Sequence, residues 1–246
     1  MAAEKQITGS AELLEASTEL QAKKLQLHWL LQISKAINYN FTTNDATVAV
    51  VQTLAVDGSA LGAANTLAFN GAAETNGSFN LKGGAGNDVV TGGASNDTFT
   101  PGAGNDIVNA GAGTDTILMA ANLTAADQID GGAGSDTVTL AGNYSAGLVF
   151  SATTLVNIET LSLGAGFNYN LTSNDATVAS GQTLTVDGTG LGATDTLTFN
   201  GSAETNGTLI VKGGAGNDTV VMGAALTASD QINGGAGNDT VTLAGN

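Results

Sequence analysis

The chain has 246 residues, with 22 Asp and Glu against six Lys and no Arg, and a formal charge of −16. That balance excludes nucleic acid and anionic membrane surfaces as partners and favours cations, while 42% hydrophobic residues argue for a buried core rather than disorder. Cysteine is absent, which rules out disulfides and thiolate metal sites, and no apolar run approaches the ~18–20 residues that span a bilayer.

The start, MAAEKQITGS, lacks the apolar core of a secretory signal peptide. The first 36 residues hold four of the six lysines, the only His and the only Trp, and no Asp. In SAELLEASTELQAKKLQLHWLL, Ser10 suits an N-cap, and Leu13, Ala16, Leu20, Leu27 and Leu30 fall on one helical face. The spacing predicts a helix over 10–27 within a capping segment, 1–37. At an offset of 130, however, Leu25, Leu31, Ile33 and Ile37 align with Leu155, Leu161, Leu163 and Phe167, so the end of this segment also reads as a strand.

Next, NYNFTTNDATVAVVQTLAVDGSALGAANTLAFNGAAETNGSF at 38–79 recurs at 168–209, an offset of 130. DTILMAANLTAADQIDGGAGSDTVTLAGN at 115–143 recurs at 218–246, an offset of 103. The difference, 130 − 103 = 27, is three units of nine, and the flanking sequence reads through the deletion. A solenoid tolerates this because each coil touches only its neighbours. The organisation expected is a cap at 1–37, a first copy at 38–143 and a second at 144–246. Segments 47–81 and 177–211 carry strand-like stretches between polar turns, TLTV, TLTF and TLIV in the second.

From residue 83 a nine-residue unit repeats, Gly-Gly-x-Gly-x-Asp-x-apolar-x, with copies starting at 83, 92, 101, 110, 131, 213 and 234. Its conserved-position residues are Gly83, Gly84, Gly86 and Asp88; Gly92, Gly93 and Asp97; Gly102, Gly104 and Asp106; and Gly111, Gly113 and Asp115. Isolated copies contribute Gly131, Gly132, Gly134 and Asp136; Gly213, Gly214, Gly216 and Asp218; and Gly234, Gly235, Gly237 and Asp239. Two degenerate copies, NLTAADQID at 122–130 and ALTASDQIN at 225–233, lose the glycines but keep Asp127 and Asp230. Glycine permits a tight turn with exposed carbonyls, the Asp supplies a carboxylate, and x-apolar-x is a short strand with one inward side chain. Oxygen ligands without nitrogen or sulfur suit Ca²⁺, which takes ~6–8 of them.

These repeats, above all the tandem block 83–118 in which only Pro101 and Ala110 replace a first glycine, resemble the RTX (repeats-in-toxin) calcium-binding β-roll family. The resemblance implies that two nonapeptides form one coil and that Ca²⁺ lies between stacked turns. It pairs Asp88 with Asp106, Asp97 with Asp115, Asp106 with Asp127, Asp115 with Asp136 and Asp218 with Asp239, with the turn glycines completing the sites. GLGATD at 190–195 looks like a loosened version of the same turn, ALGAAN at 60–65 has Asn65 where the Asp would be, and GSAETN at 201–206 reads as a turn closed by Asn206. The fold class expected is all-β, a parallel β-roll or β-solenoid with calcium-binding turns and a short helical cap. A separate β-sandwich between short β-rolls is the alternative.

An enzyme is not expected. His28 is the only histidine, too few for a His-Glu-x-x-His zinc site. Glu74 and Glu204 occupy the same place in two copies, which is scaffold redundancy rather than a catalytic dyad, and the NGS and NGT at 76–78 and 206–208 read as Asn-Gly turns. The function expected is a calcium-binding structural segment of a secreted or cell-surface protein that folds outside the cell. Type I secretion is implied by the resemblance, although GGAGNDTVTLAGN at 234–246 contains no recognisable signal. The alternative is a subunit of a calcium-dependent filament or surface layer, assembling head to tail as LLQISKAI (30–37) of one molecule follows TVTLAGN of another.

Overall fold

In the computed structural model, which describes residues 4–7, 29–33, 38–223 and 226–243, nearly all regular structure is β-strand. The strand sequences account for this. Thr53–Asp57, Ser78–Lys82 and Thr183–Asp187 alternate in burial, with Leu54 and Val56, Phe79 and Leu81, and Leu184 and Val186 inside. A period of two turns every second side chain toward the core. The three-residue strands Val89–Thr91, Thr98–Thr100 and Ile107–Asn109 each keep one inward residue, Val90, Phe99 and Val108. Among the described residues the helical content is one 3₁₀ turn, Asp175–Thr177, capped by the Asn174 side chain, and no helix is long and apolar enough to cross a membrane.

The chain packs as two compact units, Met1–Ile117 and Leu118–Asn246. In the first, one parallel sheet places Leu31, Val56, Leu81, Phe99 and Ile117 in a single row of register. A second parallel sheet, Tyr39–Thr42, Leu67–Asn70, Val89–Thr91 and Ile107–Asn109, aligns Phe41, Phe69, Val90 and Val108. The backbone visits the sheets alternately and so winds as a solenoid. From Leu81 to Phe99 and from Phe99 to Ile117 one coil takes 18 residues, two nonapeptides.

The second unit repeats the arrangement. Val138, Leu161, Val186, Val211 and Ile232 form one row of register. Leu171, Phe199, Val220 and Val241 form another, and Gln128–Asp130 pairs with Leu155–Val156. Each unit is thus a parallel β-solenoid, and the segments 47–81 and 177–211 are coils of it rather than a β-sandwich. Position for position at offset 130, Leu31 and Leu161 pair with Val56 and Val186.

That equivalence decides how the N-terminal segment is built. Trp29–Ile33 is a strand, as its alignment with the second copy implies, so Leu30 belongs to a sheet and not to a helix face. Glu4–Ile7 is a further parallel strand, in register with Leu30–Ile33, which the sequence reading does not foresee. The helix expected over 10–27 lies outside the described residues.

Inside the first unit the rings of Phe69 and Phe79 meet edge to face at 4.9 Å, and Phe99 is wholly buried. Removing a buried phenylalanine leaves a cavity costing ~3–5 kcal/mol, whereas an outward-facing residue contributes little. Phe99→Ala should therefore lower unfolding free energy in urea by about 3–5 kcal/mol, and Val89→Ala, 44% exposed on the sheet's outer face, by less than about 1 kcal/mol. Equal losses would contradict the inward register.

Candidate metal centre

The turns between these strands are shaped by crowding. A Cβ on Gly83 would lie 2.0 Å from the Pro101 carbonyl oxygen, and one on Gly104, at φ 130°, would lie 2.3 Å from the Gly86 oxygen. Only a residue without a side chain lets the next coil approach so closely. Left-handed φ belongs to Gly102, Gly104, Gly111, Gly113, Gly132, Gly134, Gly235 and Gly237, but not to Gly84, Gly86, Gly93, Gly214 or Gly216. In those turns glycine serves close approach rather than handedness.

The turn aspartates Asp88, Asp97 and Asp218 are buried and held by backbone donors. Asp88 Oδ2 accepts the Gly84 N–H at 2.7 Å, and its Oδ1 accepts the Leu67 N–H of the preceding coil at 2.6 Å. Asp97 does the same with Gly93 and Phe79, and Asp218 with Gly214 and Leu197. The stacking continues coil to coil. The Asp88 N–H donates to Asp106 Oδ1 at 2.8 Å, that of Asp97 to Asp115 Oδ1 at 2.7 Å, and that of Asp218 to Asp239 Oδ1 at 3.0 Å. Three of the pairs expected from sequence are thereby brought together. The pairs Asp106–Asp127 and Asp115–Asp136 each have one member in either unit. All these aspartates are buried except Asp239, which is exposed.

The glycine-poor turns reach the same end by other means. Asp127 Oδ2 accepts the Thr124 N–H and Asp230 Oδ2 the Thr227 N–H, both at 2.7 Å, while Asp230 Oδ1 accepts the Leu209 N–H. A threonine three residues back thus replaces the glycine four back. Three further acids, absent from the sequence-derived site, do similar work. Asp195 Oδ2 accepts the Gly192 and Gly166 N–H groups. Buried Glu74 accepts the Gly77 N–H on Oε1 and the Val48 N–H on Oε2. Glu159 Oε2 accepts the Asp136 N–H at 2.7 Å. A signal for two of them stands in the sequence: an acid directly before a Thr-Leu strand, as in TDTLTF and IETLSL.

Burial raises the pKa of Asp88, and it pushes Asp97 up to about 6 despite the Gly93 and Phe79 N–H bonds, with the nearby Glu74 charge adding to the rise. The two ion pairs among the described residues, Lys82–Asp57 at 3.8 Å and Lys212–Asp187 at 4.0 Å, lie outside these turns.

Would a cation fit here? Among the described residues no three acidic, histidine or cysteine side chains converge, so carboxylates alone cannot furnish a site. Backbone carbonyls can. Those of Pro101, Ala110 and Gly234 press against Gly83, Gly92 and Gly213 beside the carboxylates of Asp88, Asp97 and Asp218. A carboxylate offers about four lone-pair directions, and two N–H bonds leave others for a cation. Carboxylates beside carbonyls are an all-oxygen donor set, which matches Ca²⁺.

Comparison with known protein families agrees. The model of the RTX calcium-binding nonapeptide repeat matches four times, over residues 82–117, 124–142, 210–224 and 225–245. No curated protein and no solved structure compared with the chain gives a match.

The raised Asp97 pKa has a sign. A carboxyl whose folded pKa exceeds its unfolded value near 3.8 adds stability below that value and loses it as pH rises through about 6. In chelator, the far-ultraviolet β signal of the wild-type chain should fall between about pH 4 and about pH 7, and Asp97→Asn should flatten that fall. A wild-type β signal that is level or rising across this window, or an undiminished fall in Asp97→Asn, would contradict the assignment.

Proposed function

The chain carries RTX calcium-binding nonapeptide repeats, and on that premise we propose that it is a calcium-dependent structural segment of a secreted or cell-surface protein. The observation that carries this reading is the stacking of turn carboxylates, with Asp106, Asp115 and Asp239 each accepting the backbone N–H of an aspartate in the neighbouring coil. The residues that would hold the ions are Asp88, Asp97, Asp106, Asp115, Asp136, Asp218 and Asp239 with the carbonyls of their glycine turns, and Asp127 in its glycine-poor turn. Calcium supplies the positive charge these groups lack and ties one coil to the next. Residues 38–143 and 144–246 are then two copies of one calcium-binding segment, and 1–37 covers an end.

Affinity in the extracellular range of ~10⁻⁴–10⁻³ M suits this role. At low cytoplasmic calcium the carboxylates repel, and outside the cell binding free energy becomes folding free energy. Catalysis has no part in the proposal. Glu74 and Glu204, the acids that might suggest a dyad, both accept backbone N–H groups of their own turns.

The test compares two aspartates. Asp106 is fully buried and accepts the Asp88 N–H, whereas Asp230 is half-buried in a turn without the glycines. In a calcium titration followed by circular dichroism, Asp106→Ala should raise the folding midpoint about tenfold or more, a loss of ~1.4 kcal/mol. Asp230→Ala should shift it by less than about threefold. Equal effects would contradict the assignment of sites to the glycine-rich turns.

A second reading, self-assembly into a filament or surface layer, rests on one observation. In the strand Thr240–Leu243, paired on one side with Thr219–Met222, Val241 and Leu243 are 49% and 58% exposed. Exposed apolar side chains on a strand that lies, among the described residues, at the end of its sheet are suited to pairing with another chain. Sizing over a concentration series should then show growth that requires calcium. A strictly monomeric chain at high concentration in millimolar calcium would remove this reading.

A further inference from the structure

Most glycine-rich turns are followed, one coil on, by another turn that carries an aspartate. The turn Gly131–Asp136 is different. The coil after it runs Leu155–Val156–Asn157–Ile158–Glu159–Thr160, without a glycine and outside the matched repeats. Yet its contacts reproduce those of a nonapeptide one by one.

In three turns the first glycine N–H is bonded to the strand end of the next coil: Gly83 to Thr100 O at 2.9 Å, Gly92 to Asn109 O at 2.8 Å and Gly213 to Asn233 O at 2.8 Å. Gly131 bonds Val156 O at 3.0 Å. A Cβ on those first glycines would meet the next carbonyl, that of Pro101, Ala110 or Gly234, at 2.0–2.2 Å. On Gly131 it would meet the Asn157 oxygen at 2.1 Å. The aspartate N–H goes to a carboxylate oxygen of the next coil at 2.7–3.0 Å in the three turns, and from Asp136 to Glu159 Oε2 at 2.7 Å. Finally, Asp88, Asp97 and Asp218 each accept on their own carbonyl the N–H of the strand that follows, and Asp136 accepts that of Thr160 at 3.0 Å.

All four contacts are kept although the loop is shorter. Between carbonyl and carboxylate a nonapeptide runs from Pro101 to Asp106, whereas here the run is Asn157 to Glu159. Two features make up the difference. Asn157 takes φ 51°, one of three left-handed non-glycine residues among the described residues, and its Nδ2 donates to Asp130 Oδ1 at 2.8 Å. Glutamate also has one methylene more than aspartate, so its carboxylate reaches Asp136 from a nearer backbone position.

We propose that Asn157–Glu159 is a shortened cation-binding turn. The Glu159 carboxylate and the Asn157 carbonyl complete, with the turn 131–136, a site for a divalent, oxygen-preferring cation. The independent pointer to a ligand is the calcium-binding repeat matched over 124–142, which contains 131–136 and would otherwise face a coil without a repeat. The inference rests on the calcium reading above and adds a ligand type, a glutamate, that the nine-residue pattern does not contain.

The test is a count of bound Ca²⁺ on the full chain, by equilibrium dialysis and titration calorimetry, for wild type, Glu159→Gln and Glu159→Ala. Glutamine keeps an oxygen to accept the Asp136 N–H and removes the charge, so it separates a ligand from a hydrogen-bond acceptor. Glu159→Gln is expected to bind one ion fewer than wild type, or to bind one at least about tenfold more weakly, as Glu159→Ala does. Should glutamine hinder folding, raising calcium restores the β signal under this assignment. Unchanged ion count and affinity in Glu159→Gln, with a loss only in Glu159→Ala, would overturn it and leave Glu159 a structural acceptor. A wild-type chain that takes up no calcium would instead sink the calcium reading, and this inference with it.

Discussion

A carboxylate removed from water needs compensation, and each unit of this chain buries several. Asp88, Asp97, Asp106, Asp115, Asp127, Asp136 and Asp218 are all at most 2% exposed in a protein of net charge −16. Backbone N–H groups give part of the compensation, two to each of Asp88, Asp97 and Asp218. They do not suffice, because Asp97 still has its pKa pushed up to about 6. The rest must come from protons or from cations. At neutral pH, and with a backbone carbonyl of the next coil beside each of Asp88, Asp97 and Asp218, a calcium ion is the stronger candidate.

The same groups explain the geometry of the coil. Asp88, Asp97, Asp218 and Asp230 each bond the N–H of their own turn and one from the coil before, so a side chain closes the corner and sets the distance to its neighbour. Glycine clears the space in which this can happen, and the single inward residue of each short strand fills the interior. Contacts reach only to adjacent coils, which is why 27 residues can be missing between the two copies while both remain solenoids. Where glycine is lost, another residue takes over the donor's part, as Thr124 and Thr227 do for Asp127 and Asp230.

Much of this is legible in the sequence, for a physical reason. A repeat with period nine imposes both its turn and its strand, and matches at offsets of 130 and 103 locate the coils between the nonapeptides. The strand at Trp29–Ile33 is readable only through its alignment with Thr160–Leu163, because its own apolar spacing fits a helix equally well. Asp195 hides in a loosened turn. Glu159 shares with Asp195 the place directly before a Thr-Leu strand but stands outside the nine-residue pattern, and Glu74 is less legible still, since it performs an aspartate's task from a different position and with a longer side chain. The role of Glu74 depends on where the neighbouring coil lies, which no local pattern states. The left-handed conformation of Asn157 is equally silent in the sequence.

The central claim is that the buried carboxylate column holds together only when a cation neutralises it. Its most direct test is the hydrodynamic radius and far-ultraviolet circular dichroism of the full chain at neutral pH, first in chelator and then with calcium restored. The account predicts an expanded chain without β signal in chelator, and a compact β-rich one after calcium is added back. A chain that keeps both its radius and its β signal in chelator would show that backbone donors alone sustain the column, and would contradict the account.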